Sequence, residues 1–471
     1  MFVGRQSELE SLETAYQKGS FQFAVVYGRR RVGKTSLLRA FTQDKPSVIF
    51  FTGQQTVASE NLALLSREML GDSAAGAAFP SIQVALESVF ERAKAEQVIL
   101  VIDEYPYLAE SDPGVSSCLQ TLIDRHKDKS NLFLVLCGSS MSFMEHQVLG
   151  HQSPLYGRRT MQLRIDPFVV FDVAQMLPDA PIERIIELYS VVGGMPLYLS
   201  QLDSTRSTQW NLEHALLRQD AFLYAEPQNY LLQEVRSPAI YNGVIAAIAN
   251  GCVRPKEIAD VTRLATPQVA RLLDALIDLR IVERVTPVAK ATKRQVVYRI
   301  CDNLFRFWYR FVPQYTGTIE EGLGAAVAAR IVKRDLSTFV GPTFEEVCRQ
   351  WLIRQVVEGE LDVLPKAIGS WWGTNPATRH QEEIDIVLED ADGELVVGEC
   401  KWRNEPVDTD VLETLERRSA LLGRPIKQYY LFSKGGFSEA CQNRAAQASS
   451  ARLVGLEQLL SEPPLKRVVC S

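Results

Sequence analysis

The stretch Gly28-Arg29-Arg30-Arg31-Val32-Gly33-Lys34-Thr35 decides the fold of this chain. It fits the pattern G-x-x-x-x-G-K-[ST], a loop whose backbone N–H groups wrap the phosphates of a nucleotide. Residues 21–27 before it predict a buried strand, and residues 35–41 after it predict a helix whose positive dipole end faces phosphate. We therefore expect this loop and Ser36 to bind a nucleoside triphosphate. Lys34 would reach the β- and γ-phosphates, and the Thr35 hydroxyl would sit on Mg²⁺.

Two carboxylates follow a second apolar run, Val98-Ile99-Leu100-Val101-Ile102-Asp103-Glu104. A fully apolar run is typical of a central parallel strand, and ligands of such sheets bind at the carboxyl ends of the strands. Asp103 is therefore expected to hold the Mg²⁺ shell, and Glu104 to orient or deprotonate the attacking water. A third run, residues 132–137, precedes Ser139. That hydroxyl suits either a contact to the γ-phosphate or water, or a helix N-cap.

Further segments resemble a known family. Residues 2–9 (FVGRQSEL) resemble the adenine-side box of signal-transduction ATPases in the AAA+ group, and residues 193–197 (GGMPL) resemble the signature of their helical lid. Together with residues 27–31 and 153–160, they are similar to the archaeal-type ATPase family. The resemblance implies an AAA+-like domain over residues 1–225, with a parallel sheet of order 5-1-4-3-2 and a helical lid. It adds Gly4, Arg5 and Pro196 to the nucleotide site, and makes Arg158 either a γ-phosphate sensor or a surface arginine.

Composition excludes several classes of protein. The 471 residues are 46% hydrophobic and 23% charged, as in globular proteins, and the length suggests about three domains. No apolar run approaches the ~18 residues that a membrane span needs, and the N-terminus resembles no signal peptide, so we expect a cytoplasmic protein. The eight cysteines form no C-x-x-C pair and the five histidines have no metal-ligand spacing, which argues against disulfides and zinc.

The middle of the chain is basic. Net charge is −6, yet residues 236–313 hold thirteen Lys and Arg against six Asp and Glu, a balance of +7 that leaves −13 elsewhere. Such an island points to nucleic acid. Helices are predicted at 240–249, 254–259 and 266–276, with Thr266 as N-cap and Pro267 at the first helical position. Strands at 281–287 and 295–300 follow. This order predicts a winged helix-turn-helix over residues 230–313.

A DNA-binding winged helix would place its third helix in the major groove, with Gln268 and Arg271 facing outward. The wing-tip residues Lys290, Lys293 and Arg294 would contact phosphate. Winged helices in ATPases also serve as lids or protein contacts, so that alternative stays open. The aromatic run 304–311 could stack on bases, although core packing is favoured.

The last third of the chain changes character after a predicted helical linker at residues 314–340. Within a predicted domain at 341–471, a helix is expected at 344–352, strands at 383–388 and 395–402, a helix at 409–422 and a strand at 426–432. Because side chains alternate along a strand, Glu399 and Lys401 share one face beside Asp385. Two carboxylates can hold a divalent cation that activates water against a phosphodiester, and a lysine can stabilise the developing charge.

This E…D…E-x-K order resembles the PD-(D/E)xK nuclease superfamily, and residues 398–402 (GECKW) resemble a domain of unknown function that often follows archaeal-type ATPases. The resemblance implies that Glu346 is the helix carboxylate, with Glu345 as the alternative. It implies that Asp385 and Glu399 bind metal and that Lys401 is the catalytic lysine. An E-x-K pair on a half-buried strand is also an ordinary charge pair, and a nuclease-like fold can keep these residues and only bind.

The sequence thus predicts an α/β protein in three parts: a P-loop AAA+-like ATPase, a winged helix-turn-helix and a restriction-endonuclease-like domain. Its predicted function is ATP binding and hydrolysis that gates Mg²⁺-dependent cleavage of DNA. The alternative is a STAND-type nucleotide switch or a DNA-binding regulator that cuts nothing. The expected ligands are ATP, Mg²⁺ and DNA. No membrane contact is expected, and a homo-oligomer is left open.

Overall fold

The computed structural model describes residues 2–71, 77–289, 295–448 and 450–460. These residues form two compact units. The first runs to Pro167 and includes Met195–Leu197, and the second comprises Phe168–Gly194 and the chain from Tyr198 onward. In the parts of the chain that are described, no helix is both long and apolar enough to cross a membrane.

The elements of the first unit alternate between strands and helices. In chain order they are α1 (Gln6–Tyr16), β1 (Gln22–Tyr27), α2 (Lys34–Thr42), β2 (Val48–Thr52), α3 (Ala58–Leu70), α4 (Ile82–Arg92), β3 (Val98–Asp103), α5 (Tyr105–Ser111), α6 (Val115–His126), a 3-10 turn (Lys127–Lys129), β4 (Leu132–Gly138), α7 (Met141–Phe143), a π-helical turn (Met144–Val148) and β5 (Met161–Arg164).

The five strands form one parallel sheet in the order β2-β3-β4-β1-β5, which confirms the predicted order. Every residue of β1, β3 and β4 is buried, because these central strands are covered by helices and need apolar side chains on both faces. Side chains of α3 to α6 complete the hydrophobic core. The parallel register brings the carboxyl ends of these strands, and the loops that follow them, to one edge of the sheet.

The second unit begins with helices. In chain order its first elements are α8 (Val170–Met176), α9 (Ile182–Val192), α10 (Pro196–Leu199, which begins in the first unit), α11 (Thr208–Leu216), α12 (Glu226–Glu234), α13 (Pro238–Ala249), α14 (Pro255–Thr262), α15 (Thr266–Asp278), β6 (Val282–Val285), β7 (Val297–Ile300), α16 (Asn303–Phe311), a 3-10 turn (Pro313–Tyr315), α17 (Thr316–Glu320), α18 (Gly324–Arg334) and α19 (Leu336–Val357).

Three helices and a hairpin follow one another in the basic region. Strands β6 and β7 pair antiparallel from Val282↔Ile300 to Val285↔Val297. Helix α15 begins at Thr266 with Ala265 as its N-cap, so the predicted N-cap at Thr266 is wrong by one residue. The predicted wing-tip residues Lys290, Lys293 and Arg294 lie outside the described residues. The aromatic side chains of α16 are buried, which confirms that this run packs in a core.

The remaining elements build a second sheet. They are β8 (Pro365–Thr374), β9 (Gln381–Asp390), β10 (Leu395–Lys401), α20 (Thr409–Ser419), a 3-10 turn (Ala420–Leu422), β11 (Ile426–Ser433), α21 (Glu439–Gln447), β12 (Ala451–Gly455) and α22 (Leu456–Leu460). The sheet order is β12-β11-β10-β9-β8; β8, β9 and β10 pair antiparallel, whereas β10, β11 and β12 pair parallel. The predicted β9–β10 hairpin is confirmed, with Gly398 opposite Ile386, so the next residues toward the open end are Glu399 and Asp385.

Candidate functional site

The phosphate-loop motif connects β1 directly to α2 through strained backbone. Arg31 and Gly33 have positive φ angles of 69° and 94°, and Gly33 is the N-cap of α2. Gly28 has a different reason to be glycine, because a Cβ there would lie 2.3 Å from the Ile165 carbonyl oxygen. The sequence G-x-x-x-x-G-K therefore folds as a tight loop that leaves the N-terminus of α2 directed into it.

Lys34 lies inside this loop. It is only 5% exposed, and its Nζ donates to the carbonyl oxygens of Gly28 at 2.9 Å and Arg29 at 3.1 Å. Burial lowers the pKa of Lys34, while the nearby carboxylates of Glu104 and Asp103 act in the opposite direction. The ammonium group thus bonds to two neutral carbonyl oxygens, and an anionic phosphate would be a stronger acceptor for it.

Thr35 and Asp103 meet at the edge of the sheet. The Thr35 hydroxyl donates to Asp103 Oδ2 at 2.7 Å, and Asp103 is 2% exposed. A hydroxyl and a carboxylate are oxygen donors of the kind that Mg²⁺ prefers when it also binds substrate phosphates. The residues present therefore fit a nucleotide-bound Mg²⁺.

Glu104 is held by Ser139 across the same edge. Glu104 has a positive φ of 50°, and its Oε2 accepts from Ser139 Oγ at 2.8 Å and from the Ser139 N–H at 3.3 Å. The N-cap of α7 is Ser140, so the alternative of Ser139 as a helix N-cap is wrong. The carboxylate after Asp103 is thereby fixed by the residue that follows β4.

The family-type residues around the loop have several roles. Arg5 follows Gly4 with both residues at positive φ, and its guanidinium donates to the carbonyl oxygens of Val32 at 3.1 Å and Asp166 at 2.6 Å. Arg5 therefore connects the phosphate loop to the chain that follows β5 by hydrogen bonds. Arg29 is buried, and Arg30 donates to the Tyr107 hydroxyl at 2.5 Å. Ser36 lines a surface pocket together with Phe2 and Phe50. The Pro196 ring lies close to Gly33, because a Cβ added there would be 3.7 Å from it.

Arg158 forms a two-point ion pair. Its Nε and one terminal nitrogen bond to Asp124 at 2.9 and 2.7 Å, and the other terminal nitrogen donates to the Pro154 carbonyl oxygen. Asp124 belongs to α6 and is 47% exposed at its side chain. These contacts favour the surface-arginine alternative over the γ-phosphate sensor.

A second group of charged residues lies on β9 and β10. Asp385 Oδ2 accepts from the Cys400 N–H at 2.8 Å, and Lys401 Nζ bonds to Glu399 Oε1 at 2.7 Å. Burial raises the pKa of both carboxyl groups, and the charge of Asp385 adds to the effect on Glu399. The three predicted residues are therefore brought together on neighbouring strands.

Glu399 is also held by a residue that the sequence did not indicate. Arg418 on α20 bonds to Glu399 Oε1 at 3.4 Å, to Glu382 Oε2 at 3.0 Å and to the Glu383 carbonyl oxygen at 2.9 Å. Glu399 Oε2 is buried without a hydrogen-bond partner in the described part of the chain. One oxygen of this carboxylate is therefore neutralised by two cations, while the other is available to a further ligand.

The helix carboxylate that acts on this group is Glu345, not Glu346. Burial, followed by the charge of Asp385, raises the pKa of Glu345 to about 8. The Glu346 side chain is 47% exposed and its carboxylate is bound by Arg349 at 3.0 Å and by Gln350 at 3.1 Å. Helical phase decides between the two residues, and the assignment to Glu346 is corrected to the alternative Glu345.

The charged residues on β9 and β10 offer few protein ligands to a metal ion. Across the ranges that the structure describes, no group of three or more His, Cys, Asp or Glu side chains is arranged to hold a metal ion. Asp385 and the unpartnered oxygen of Glu399 are nevertheless hard donors, and Mg²⁺ often uses only one or two carboxylates with water. The donor set is compatible with Mg²⁺ bound together with a substrate.

The important residues missed from the sequence are arginines that bind carboxylates. Arg349 donates to Glu346 and to the Asp385 carbonyl oxygen, at 3.0 and 3.3 Å. Its i,i+3 spacing from Glu346 was a usable signal for that ion pair. Nothing local indicates the contact of Arg418 with Glu399, because the two residues belong to a helix and a strand that meet only in the fold.

Comparisons with known proteins agree with the first site. Residues 2–202 match an ATPase domain predominantly from Archaea, and residues 308–418 match archaeal and bacterial proteins of unknown function. An uncharacterized protein of Methanocaldococcus jannaschii is 30% identical over 452 residues, 94% of this chain and 97% of the relative. An uncharacterized ATP-binding protein of that organism is 47% identical over 45 residues, 10% of this chain and 76% of the relative. A Walker-type ATPase of Pyrococcus abyssi has a similar fold, with a TM-score of 0.50 and 20% sequence identity. The aligned region covers 66% of this chain and 96% of that chain.

Proposed function

The chain belongs to the family of P-loop ATPases found predominantly in Archaea, and from this we propose that its first sheet edge binds ATP with Mg²⁺ and hydrolyses the γ-phosphate. The observation that carries the proposal is the pairing of Thr35 with Asp103 at 2.7 Å beside the Glu104–Ser139 pair at 2.8 Å. The residues proposed to hold magnesium and to orient water thus share one edge of the sheet with Lys34.

Each residue of this edge has a separate proposed task. Lys34 exchanges its two carbonyl contacts for phosphate oxygens and neutralises their charge. Thr35 and Asp103 would hold the cation, which would offset the charge of the β- and γ-phosphates. Glu104 orients the attacking water and accepts its proton, and Ser139 fixes the carboxylate in the direction from which it does so.

The test is nucleotide binding and turnover by the full chain. Lys34→Ala should lower ATP·Mg²⁺ affinity by at least about a hundredfold in calorimetry, because it removes the buried cation from the phosphate site. Lys18→Ala is the matched control, since Lys18 is an exposed lysine of the same unit. Equal affinities of wild type and Lys34→Ala would exclude this assignment.

We further propose that the second unit is a DNA-associated module with a Mg²⁺-dependent nuclease-like site. The supporting observation is the convergence of Asp385, Glu399 and Lys401 on adjacent strands, with one buried oxygen of Glu399 unpartnered in the described residues. The strand order with flanking helices is compatible with a restriction-endonuclease-like domain. Lys401 would stabilise an attacking hydroxide or the charge that develops on the phosphodiester.

The proposed route of DNA to this module is the winged helix formed by α13 to α15 and the β6–β7 hairpin. Arg271 is exposed on α15 and Gln268 is half-buried. Both side chains can therefore be reached from solvent, as contacts to bases in the major groove require. The base of the hairpin packs on the edge strand of the second sheet: the Val288 N–H donates to Ser370 O at 3.0 Å, and Gln295 Nε2 donates to Trp372 O at 2.9 Å. DNA bound along the hairpin would therefore approach the domain that carries Asp385.

This second proposal is tested by incubating supercoiled plasmid and branched or single-stranded DNA with the protein and Mg²⁺ or Mn²⁺, with and without ATP. Asp385→Asn and Lys401→Ala should each abolish cleavage and leave ATP hydrolysis intact, because the two sites use different residues. Lys366→Ala, an exposed lysine on β8, is the matched control. Wild-type protein that cuts none of these substrates would favour the non-cutting switch or regulator.

A further inference from the structure

Two of the three covalent connections between the units lie close together. The chain passes from the first unit to the second between Pro167 and Phe168, returns between Gly194 and Met195, and enters the second unit again between Leu197 and Tyr198. The Phe168 N–H donates to the Gly194 carbonyl oxygen at 2.8 Å, and a Cβ on Gly194 would lie 1.9 Å from Phe168 O. Glycine is required for this approach of two backbones. Two of the points where the chain crosses between the units therefore flank this pair.

Gln350 on α19 contacts the chain immediately after that point. Its Oε1 accepts from the N–H of Val170, the first residue of α8, at 2.9 Å. Its Nε2 donates to the Tyr189 hydroxyl on α9 at 3.2 Å and to Glu346 Oε1 on its own helix at 3.1 Å. The amide oxygen and both N–H groups thus have partners on three helices.

The same contacts continue to the carboxylate site. Glu346 Oε2 accepts from Arg349 Nε at 3.0 Å, and a terminal nitrogen of Arg349 donates to the Asp385 carbonyl oxygen at 3.3 Å. The Asp385 side chain in turn accepts from the Cys400 N–H at 2.8 Å. An unbroken series of hydrogen bonds therefore runs from the start of α8 to the β9–β10 pair.

A second tether joins α9 to the same strands. Glu183 Oε1 forms an ion pair with Lys434 Nζ at 2.5 Å, and the Lys434 N–H donates to the Lys401 carbonyl oxygen at 3.0 Å. The side chains of Phe171 on α8 and Arg354 on α19 also stack, with 4.5 Å between the guanidinium carbon and the ring centre. The segment 168–194 is thus fixed to the carboxylate site at both of its helices.

We propose that Gln350 is a positioning residue that couples the nucleotide state of the first unit to the position of Asp385, acting through Glu346 and Arg349. The proposal rests on the proposed ATP function. It requires that the carboxylate site moves when nucleotide binds, and it does not require that the site cuts DNA. Only a side chain with one acceptor and two donors can satisfy Val170, Tyr189 and Glu346 together, which is why the position needs an amide.

Hydrogen–deuterium exchange of the full chain tests the coupling, because two of the bonds use backbone amides. The probe is a non-hydrolysable ATP analogue with Mg²⁺. In wild type it should change exchange in peptides that cover 168–176 and 395–402, which contain the Val170 and Cys400 amides. In Gln350→Leu the response at 395–402 should be lost while analogue affinity by calorimetry is retained. Gln350→Glu, which keeps the shape but sets a carboxylate against Glu346, should give the same loss without leaving a cavity.

Gln355→Leu is the matched control, because Gln355 lies on the same helix but bonds to Glu358. It should respond like wild type. Equal responses at 395–402 in wild type and in both Gln350 variants would overturn the coupling, as would a wild-type chain that binds the analogue and shows no response there. Absence of analogue binding would instead refute the proposed ATP function and the coupling with it. Absence of DNA cleavage refutes the nuclease proposal alone and leaves this readout unaffected.

Discussion

Replacing Glu345 by glutamine should stabilise the protein at alkaline pH and have little effect near pH 4. Burial, with the added charge of Asp385, raises the pKa of Glu345 from its ordinary value of 4.5 to about 8 in the folded chain. At pH values between these two pKa values, the Glu345 carboxyl group has released its proton in the unfolded chain and still holds it in the folded chain. Stability that is fully present below the unfolded pKa is therefore lost as pH rises toward the folded pKa.

The size of this loss follows from the two pKa values. One pKa unit corresponds to about 1.4 kcal/mol, so the displacement removes up to about 4 kcal/mol of unfolding free energy by pH 8. Burial also raises the pKa of Asp385 and Glu399, so the three carboxyl groups share the penalty. We therefore expect Glu345→Gln alone to recover about 1–3 kcal/mol at pH 8.

Urea denaturation at several pH values between about 5 and about 8 measures this effect. The stability difference between Glu345→Gln and wild type should grow steadily with pH. Gln355→Leu on the same helix is the control, and it should keep the wild-type pH dependence because it removes no titratable group. Parallel stability profiles for Glu345→Gln and wild type would show that Glu345 is not the buried carboxyl group and that the corrected assignment is wrong.

Three further predictions concern separate parts of the chain. Glu104→Gln should retain ATP affinity and lower steady-state phosphate release by about 10²–10⁴-fold, because it removes the proton acceptor and keeps the shape; turnover within a few fold of wild type would contradict this. Gly28→Ala should cost about 1–3 kcal/mol in urea denaturation, because its Cβ would lie 2.3 Å from Ile165 O; unchanged stability would refute the close approach. Charge reversal at Lys290, Lys293 and Arg294 should reduce the log–log salt slope of DNA binding by about one unit per lost phosphate contact; an unchanged slope would favour a protein-contact role for the hairpin.

Much of the nucleotide site could be predicted because its chemistry is encoded in contiguous sequence. The motif from Gly28 to Thr35 largely specifies its own loop, since Gly33 supplies the positive φ that the turn into α2 requires. Asp103 and Glu104 follow an apolar strand, and the parallel sheet then brings separate strand ends to one edge. The placement of these residues therefore followed from short segments, whereas the strand order followed from the resemblance to the archaeal-type ATPase family.

The sequence could not predict contacts that depend on how elements pack. Alternation along β9 and β10 was enough to place Asp385 near Glu399, because strand geometry repeats every two residues. The contact of Arg418 with Glu399 needs the position of α20 over the sheet, which no local pattern supplies. The docking of the hairpin residue Val288 on β8 is likewise non-local, and β8 itself was not predicted.

The choice between Glu345 and Glu346 shows how one helical step separates two functions. Successive residues of a helix point about 100° apart, whereas residues four apart lie on one face. Glu345 and Arg349 form one such column, and it acts on Asp385. Glu346 and Gln350 form the next column, and it contacts α8 and α9. Arg349 binds Glu346 across the two columns, so α19 connects them within a single helical turn. A shift of α19 at one column would therefore also move the other, and in our proposal a change that Gln350 receives from α8 reaches the strand that carries Asp385 by this route.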